Sequence, residues 1–467
     1  PVPIAYDYTN MLAPACAGAP TVADLDACAA DFARAHAQVA ALVADGTLGF
    51  PHLADDAALA RAMMAEGATC RGAVDDVVLL GIGGSALGPA LLRDALRPHA
   101  WNALDAHARD GWPRLHVLEN VDPVTIAATL ARLDLARTRV LVTSKSGGTA
   151  ETLAQYLVLR DLVERHGGHD LVRRAFRFVT DPAKGALRAI ARADGIVAFD
   201  VPPNVGGRFS VLSPVGLLPA ACIGIDVAAL LAGAAAMRDR AVVPVLRRNP
   251  AALFAVLQWL HDVRTGRRIH VLMPYVDALR NLGPWFVQLW AESLGKVRRT
   301  PGGGTEHVGP TPVPALGATD QHAQVQLFME GPHDKTVTFL GMDRPATDVA
   351  IPSLHGEHAD LAYLGGRTVF DLLDAERRAT AGALASRGRP NGTLHVPVVD
   401  APHVGELLMF LEYATAYAGA LYGIDAFDQP GVELGKKFTF GIFGRPGFEG
   451  DRAAFDALPT ADPALRA

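Results

Sequence analysis

The stretch "DDVVLLGIGGSALGPALLRDAL" (Asp75–Leu96) changes character twice. A β-rich apolar run, Val77 to Leu80, meets a glycine loop, "GIGGSALGP" (Gly81–Pro89), which opens into a helical pattern. The same strand, Ser/Gly loop and helix design returns in "TRVLVTSKSGGTAETLAQYLVLRDL" (Thr138–Leu162). "RLHVLENVDP" (Arg114–Pro123), "RRAFRFVTD" (Arg173–Asp181) and "GIVAFDVP" (Gly195–Pro202) supply three more strand candidates. Strands that alternate with helices predict a parallel sheet with helices on both faces.

A second unit follows with the same alternation. "RRIHVLMPY" (Arg267–Tyr275), "KTVTFLGM" (Lys335–Met342) and "GTLHVPVVD" (Gly392–Asp400) read as strands. "GPWFVQLWAESLGK" (Gly283–Lys296) and "VGELLMFLEYATAYAGALYG" (Val404–Gly423) read as helices, the second deeply buried. "RTPGGGTEHVGPTPVPALGATD" (Arg299–Asp320) is so rich in Pro and Gly that no regular structure is expected, and long loops of this kind are usually functional. The predicted fold is α/β, with two domains that each hold a mainly parallel sheet between helices in three layers. The expected division is a helical lead-in over 1–50, a first domain over 51–220, a second over 221–425 and a C-terminal segment over 426–467. No short-period repeat interrupts this plan.

The chain has 467 residues, 50% apolar, 7% aromatic and 20% charged. At about 100–200 residues per domain that length predicts two or three domains. The formal charge of -6 argues against general nucleic-acid binding, while a local site can still be positive. Cys16, Cys28, Cys70 and Cys222 show neither CxxC nor Cys/His ligand spacing. Neither a disulfide framework nor a zinc site is expected, and a reducing, cytoplasmic setting fits. The opening "PVPIAYDYTN" lacks the basic and apolar regions of a signal peptide. The apolar segment Val211–Met237 is broken by Pro214, Gly216, Pro219, Gly224 and Asp226. A membrane span wants about 20 uninterrupted apolar residues, so two buried helical pieces are expected instead.

Gly81, Gly83 and Ala86 formally satisfy a dinucleotide fingerprint, but its acidic partner should follow about 20 residues on. Glu119 lies much too far along. The loop chemistry still suits an anion: Gly84 frees the backbone, Ser85 brings a hydroxyl, and a helix start offers free N–H groups. A tight turn that binds nothing would use the same residues. "SKSGGTAET" (Ser144–Thr152) is more specific. Ser144, Ser146 and Thr149 supply hydroxyls, Lys145 a positive charge, and Gly147 and Gly148 an open backbone, as a phosphate dianion requires. One hydroxyl would suffice for an ordinary helix cap.

"GIGGSALGP" and "SKSGGTAET" resemble the phosphate-handling segments of sugar-isomerase (SIS) domains. "NVGGRFSVLSPVGLLPA" (Asn204–Ala220), "WFVQLWAESLGK" (Trp285–Lys296), "GATDQHAQVQLFMEGP" (Gly317–Pro332) and "QPGVELGKK" (Gln429–Lys437) resemble further segments of the glucose-6-phosphate isomerase family, in the family's order. The resemblance implies two SIS-type domains, a sugar phosphate held by Gly84, Ser85, Ser144, Lys145, Ser146 and Thr149, and reversible aldose–ketose isomerisation through an enediolate. It implies no metal, no organic cofactor, no nucleic acid and no membrane.

Each chemical residue has a plain reading beside the functional one. Residues four apart on a helix lie about 40° apart in azimuth, so Gln288 and Glu292 share a face, with Trp285 and Leu289 near it. Apolar neighbours make a carboxylate a better base, although most helical glutamates are simply exposed. The resemblance implies that Glu292 is the isomerisation base and Gln288 a substrate contact. Arg208 would stabilise negative charge on an enediolate oxygen; the plain alternative is an arginine that holds the Gly206–Gly207 turn to a carboxylate. His322, beyond a possible helix cap at Thr319 or Asp320, would by itself be a structural or surface histidine. The resemblance implies that it helps open the sugar ring from a partner subunit, in a homodimer. It likewise implies a ring-opening role for Lys436, rather than its neighbour Lys437, and a substrate contact for Gln429. Leu294 and Pro430 depart from the family's usual residues. A broader isomerase that also takes mannose 6-phosphate, or a non-catalytic sugar-phosphate sensor, would share the Ser/Gly loops; the sensor would not need Glu292, Arg208, His322 and Lys436 together.

Overall fold

The computed structural model describes residues 2–300 and 302–466. The chain divides into two units, one up to Ala426 and one from Phe427 onward. Near the N-terminus of the larger unit lies a short strand, β1 (Ala5–Asp7). The first sheet holds β2 (Asp76–Leu80), β3 (Arg114–Leu118), β4 (Thr138–Ser144), β5 (Phe176–Thr180) and β6 (Val197–Asp200). Its order is β3-β2-β4-β5-β6 and every pairing is parallel. All positions of β2 and β4 are buried, which explains why Val77–Leu80 is a continuous apolar run and not an alternation. The chain leaves β2 for β3 on one side, while β4 lies on the other. The C-terminal ends of β2 and β4 therefore open side by side at a topological switch point, where ligands of open α/β sheets bind.

The second sheet takes β7 (Ile269–Pro274) and four further strands. A hairpin, β8 (Lys296–Arg299) with β9 (Thr305–Val308), precedes β10 (Thr311–Pro314), β11 (Lys335–Met342) and β12 (Asn391–Val396). The order is β1-β12-β11-β7-β10; only β1 runs antiparallel. The two mainly parallel sheets with flanking helices are the class the sequence implied. The first fifty residues contribute more than helices, because β1 pairs Tyr6 with Leu394 at the edge of this sheet.

The expectation of no regular structure over Arg299–Asp320 is wrong at β9 and β10, and at the two ends, where Arg299 closes β8 and Thr319 opens a short 3-10 turn. Pro312 and Pro314 sit on β10, which pairs only with β7 at the sheet edge. An edge strand needs hydrogen bonds on one side alone and so tolerates proline. Val211–Met237 forms two helices, Pro214–Cys222 and most of Val227–Ala241. Gly224 (φ +80°) turns the chain between them, and Asp226 caps the second by accepting from Ala229 N at 3.0 Å. Among the described residues no helix is long and apolar enough to cross a membrane.

The helix Ala401–Tyr422 is buried along most of its length. Glycines set its approach to helix Val227–Ala241: a Cβ at Gly405 would fall 1.9 Å from Leu230 O, and one at Gly233 1.8 Å from Pro402 O. In the C-terminal unit, helices Glu433–Ile442 and Glu449–Asp456 meet through Phe438 and Phe455, with ring centroids 5.6 Å apart.

Three buried ionisable groups make stability depend on pH. Burial pushes His261 down to about 4 and His270 down to about 3, because it disfavours imidazolium. Burial raises the Glu412 carboxyl well above its ordinary range. Below the ordinary histidine value of 6.5 the unfolded chain takes up a proton on each histidine and the folded chain does not. Each histidine then removes about 1.4 kcal/mol of stability per unit of acidification. Glu412 acts oppositely: above the ordinary value of 4.5 it loses its proton only when unfolded, so its contribution falls as pH rises. On acidification below pH 6.5 the two histidines therefore lower stability, and Glu412 opposes them. Urea unfolding between about pH 6.5 and 5 should show a steeper loss of stability on acidification in Glu412→Gln than in the parent, and a shallower one in His270→Gln.

Candidate active site

Three pieces of backbone converge beyond β2. In the loop after Leu80, Gly83 takes φ +55°, and a Cβ there would lie 2.8 Å from Gln288 Nε2. At Gly84 a Cβ would lie 2.2 Å from Gly207 O and 3.0 Å from Arg208 N. The glycines let this loop touch both the turn that carries Arg208 and the helix Leu282–Leu294. Ser85 is half-buried just before the helix Leu87–Leu96.

The second loop leaves β4 at Ser144, which is buried. Thr149 stands at the N-cap of the following helix but makes no capping hydrogen bond; its Oγ1 lies 2.9 Å from Ser144 Oγ. The plain helix-cap reading therefore does not account for this hydroxyl. Ser146 is exposed, and its Oγ accepts from Gly148 N at 3.3 Å. Gly147 (φ +63°) makes the bend. Lys145, expected to offer its charge to an anion, instead donates from Nζ to Pro203 O and Val205 O, both at 2.8 Å. Burial lowers its ammonium pKa, while Asp181 opposes that shift.

Arg208 is buried and has three identified acceptors within the larger unit. Nε donates to Ser293 Oγ at 2.6 Å, Nη1 to Glu292 Oε2 at 3.2 Å, and Nη2 to the Ala426 carbonyl. The two readings of this arginine thus converge, since the carboxylate it meets is that of the candidate base. Glu292 is half-buried on the same helix face as Gln288. Its neighbourhood differs from the apolar one expected, because a guanidinium faces the carboxylate. Trp285, Phe286, Leu289 and Trp290 are instead packed into the core. Ser293 carries no signal of its own in the sequence. It follows Glu292 directly, but its buried hydroxyl is recognisable as a ligand of Arg208 only once the two segments meet.

His322 is exposed on the turn after β10, and among the described residues no hydrogen bond joins it to Glu292. Its neighbour Gln321 pins that turn, with Oε1 accepting from Tyr275 Oη at 2.6 Å and from Thr380 Oγ1 at 3.0 Å. Asp320 accepts from Leu316 N at 2.7 Å, so it braces the turn without capping a following helix. Gln429 and Lys436 belong to the C-terminal unit, where Lys436 Nζ pairs with Glu433 Oε1 at 2.8 Å.

The Phosphoglucose isomerase family model matches residues 57–458. The chain belongs to the phosphoglucose isomerase family. A glucose-6-phosphate isomerase from Rubrobacter xylanophilus is 44% identical over 452 residues, 95% of this chain and 99% of that one. One from Thermus thermophilus is 46% identical over 366 residues, 78% of this chain and 83% of that one. A solved hypothetical protein, also from Thermus thermophilus, has a TM-score of 0.84 at 40% identity, covering 94% of this chain and 99% of that one. The glucose-6-phosphate isomerase of Chlamydia trachomatis has a TM-score of 0.71 at 26% identity, covering 86% of this chain and 76% of that one. The candidate residues, from Gly84 to Lys436, lie inside the stretch that matches the phosphoglucose isomerase family.

The packing of Gly84 on Gly207 has a direct test. Gly84→Ala should cost about 1–3 kcal/mol of unfolding free energy, since the methyl group would overlap backbone. Gly206→Ala, where a Cβ meets only the Phe209 ring at 3.6 Å, should stay within about 0.5 kcal/mol of the parent. Urea denaturation of the two variants checks the contrast.

Proposed function

We propose that this chain reversibly isomerises D-glucose 6-phosphate and D-fructose 6-phosphate. The observation that carries the reading is Glu292 Oε2 at 3.2 Å from Arg208 Nη1, beside the first glycine loop, in a chain of this family. Glu292 removes the proton at C2 and returns it at C1. Arg208 stabilises the enediolate oxygen between those steps, where a buried guanidinium is worth more than one in water. The hydroxyls of Ser85, Ser144, Ser146 and Thr149, with the backbone near Gly84, hold the phosphate and orient the sugar. Gln288 and Gln429 contact the sugar, and His322 and Lys436 assist ring opening. Proton transfer between adjacent carbons requires no metal or organic cofactor.

The working form in this proposal is a homodimer in which His322 reaches the site of a second copy. The exposure of His322 and the pinning of its turn by Gln321 support that reading. Free, buried cysteines support a reducing, cytoplasmic setting. The Arg208–Glu292 pair favours an enzyme over a sensor, since phosphate capture alone would not need it.

A coupled assay that follows glucose 6-phosphate formed from fructose 6-phosphate tests the activity, with mannose 6-phosphate run in parallel to define the sugar range. Glu292→Gln should reduce turnover at least about 100-fold with substrate binding largely kept; near-normal turnover would refute the base assignment. Ser146→Ala should weaken substrate affinity. Mixing inactive His322→Ala and Glu292→Gln proteins should restore part of the activity through hybrid dimers, and no recovery after proven subunit exchange would overturn the shared site.

A further inference from the structure

The segment that carries Arg208 is held from both Ser/Gly loops. From the first, Gly84 packs against Gly207 O and Arg208 N. From the second, the Lys145 ammonium takes two carbonyls, Pro203 O and Val205 O. Within the chain from Pro203 to Phe209, Val205 N donates to Pro202 O and Phe209 N to Gly206 O, each at 3.0 Å, and a further anchor lies at Asn204, whose O accepts from Gly49 N at 3.0 Å and whose Nδ2 donates to Gly46 O at 2.9 Å. Lys145 lies between Ser144 and Ser146, so whatever fixes that loop also fixes the root of the lysine.

We infer that Lys145 is a positioning residue that couples occupancy of the second Ser/Gly loop to the placement of Arg208. The inference rests on the isomerase reading and gives its remote phosphate a further task. The phosphoryl group does not react, so its binding energy raises turnover only if it is expressed at the reacting centre. Lys145 supplies that link. A phosphate on the Ser144, Ser146 and Thr149 hydroxyls would hold the loop. The ammonium would hold the carbonyls of Pro203 and Val205, and that backbone would set the guanidinium where charge develops. Half-buried and lowered in pKa by burial, the ammonium is a short-range clamp more than a long-range attractor of anions.

The test is Lys145→Met, which keeps the aliphatic stem and removes the N–H donors. A coupling role predicts a fall in kcat of about 10- to 100-fold, the size expected of a misplaced catalytic group. The calorimetric Kd for inorganic phosphate should stay within about threefold of the parent, and Lys145→Arg should recover part of kcat. In an Arg208→Ala background, Lys145→Met should change kcat by less than about threefold, because its effect travels through that side chain. A loss of phosphate affinity with kcat retained would make Lys145 a direct phosphate ligand and overturn the proposal. So would an unchanged kcat, or a full kcat loss that persists without Arg208. If Lys145→Met does not fold, Lys145→Leu, which also lacks the N–H donors, is read by the same measurements. Phosphate binding is measured without turnover, so absence of isomerase activity in the parent, which would defeat the proposed function, is distinguished from failure of the coupling.

Discussion

Burying a guanidinium is costly unless acceptors meet its donors, and at Arg208 those acceptors come from segments far apart in sequence. Its Nε, Nη1 and Nη2 meet Ser293, Glu292 and the Ala426 carbonyl. Two of these ligands are adjacent residues on one helix and the third lies far along the chain, so they meet only when the sheets and their helices are assembled. A planar cation with fixed donor directions sets such geometry better than an ammonium would. Removing the carboxylate would still leave neutral acceptors on the guanidinium, whereas losing the guanidinium would strip the carboxylate of its charged neighbour.

The parallel sheet brings the rest of the site to this point. β2 and β4 are neighbours whose exits face the same way, so both Ser/Gly loops arise side by side. Their glycines serve separate needs. Gly83 and Gly147 adopt positive φ, whereas Gly84 has no such demand and is small because backbone carbonyl occupies the place of its side chain. The first kind is a local property of a turn; the second is imposed by a segment more than a hundred residues away in sequence.

The core carries its own polar exceptions. His261 finds the Met11 carbonyl at 2.9 Å, but the Glu412 oxygens and both His270 ring nitrogens are buried without a hydrogen bond among the described residues. Buried groups of this kind keep their neutral forms. His270 on β7 packs against Trp290, on the helix that carries Glu292, at a centroid distance of 5.4 Å. The acid sensitivity of the fold and the seating of Glu292 are in this way linked through one helix.

Much of this was legible from local pattern. Short β-rich runs located β2, β4, β7, β11 and β12, because a strand buried on both faces is mainly apolar. Helical spacing placed Gln288 and Glu292 on one face, and glycine with hydroxyl content marked the two loops. Proline content misled at β10, since whether a strand lies at a sheet edge is settled by which strands arrive beside it. The sequence by itself thus determined the alternation of strands and helices and the residue types available for an anion and a proton. Only the tertiary structure decided that Lys145 turns to the carbonyls of Pro203 and Val205, that Ser293 holds Arg208, and that Glu292 faces a guanidinium. Those are contacts between distant segments, and their energies depend on distance and burial, which a linear pattern does not contain.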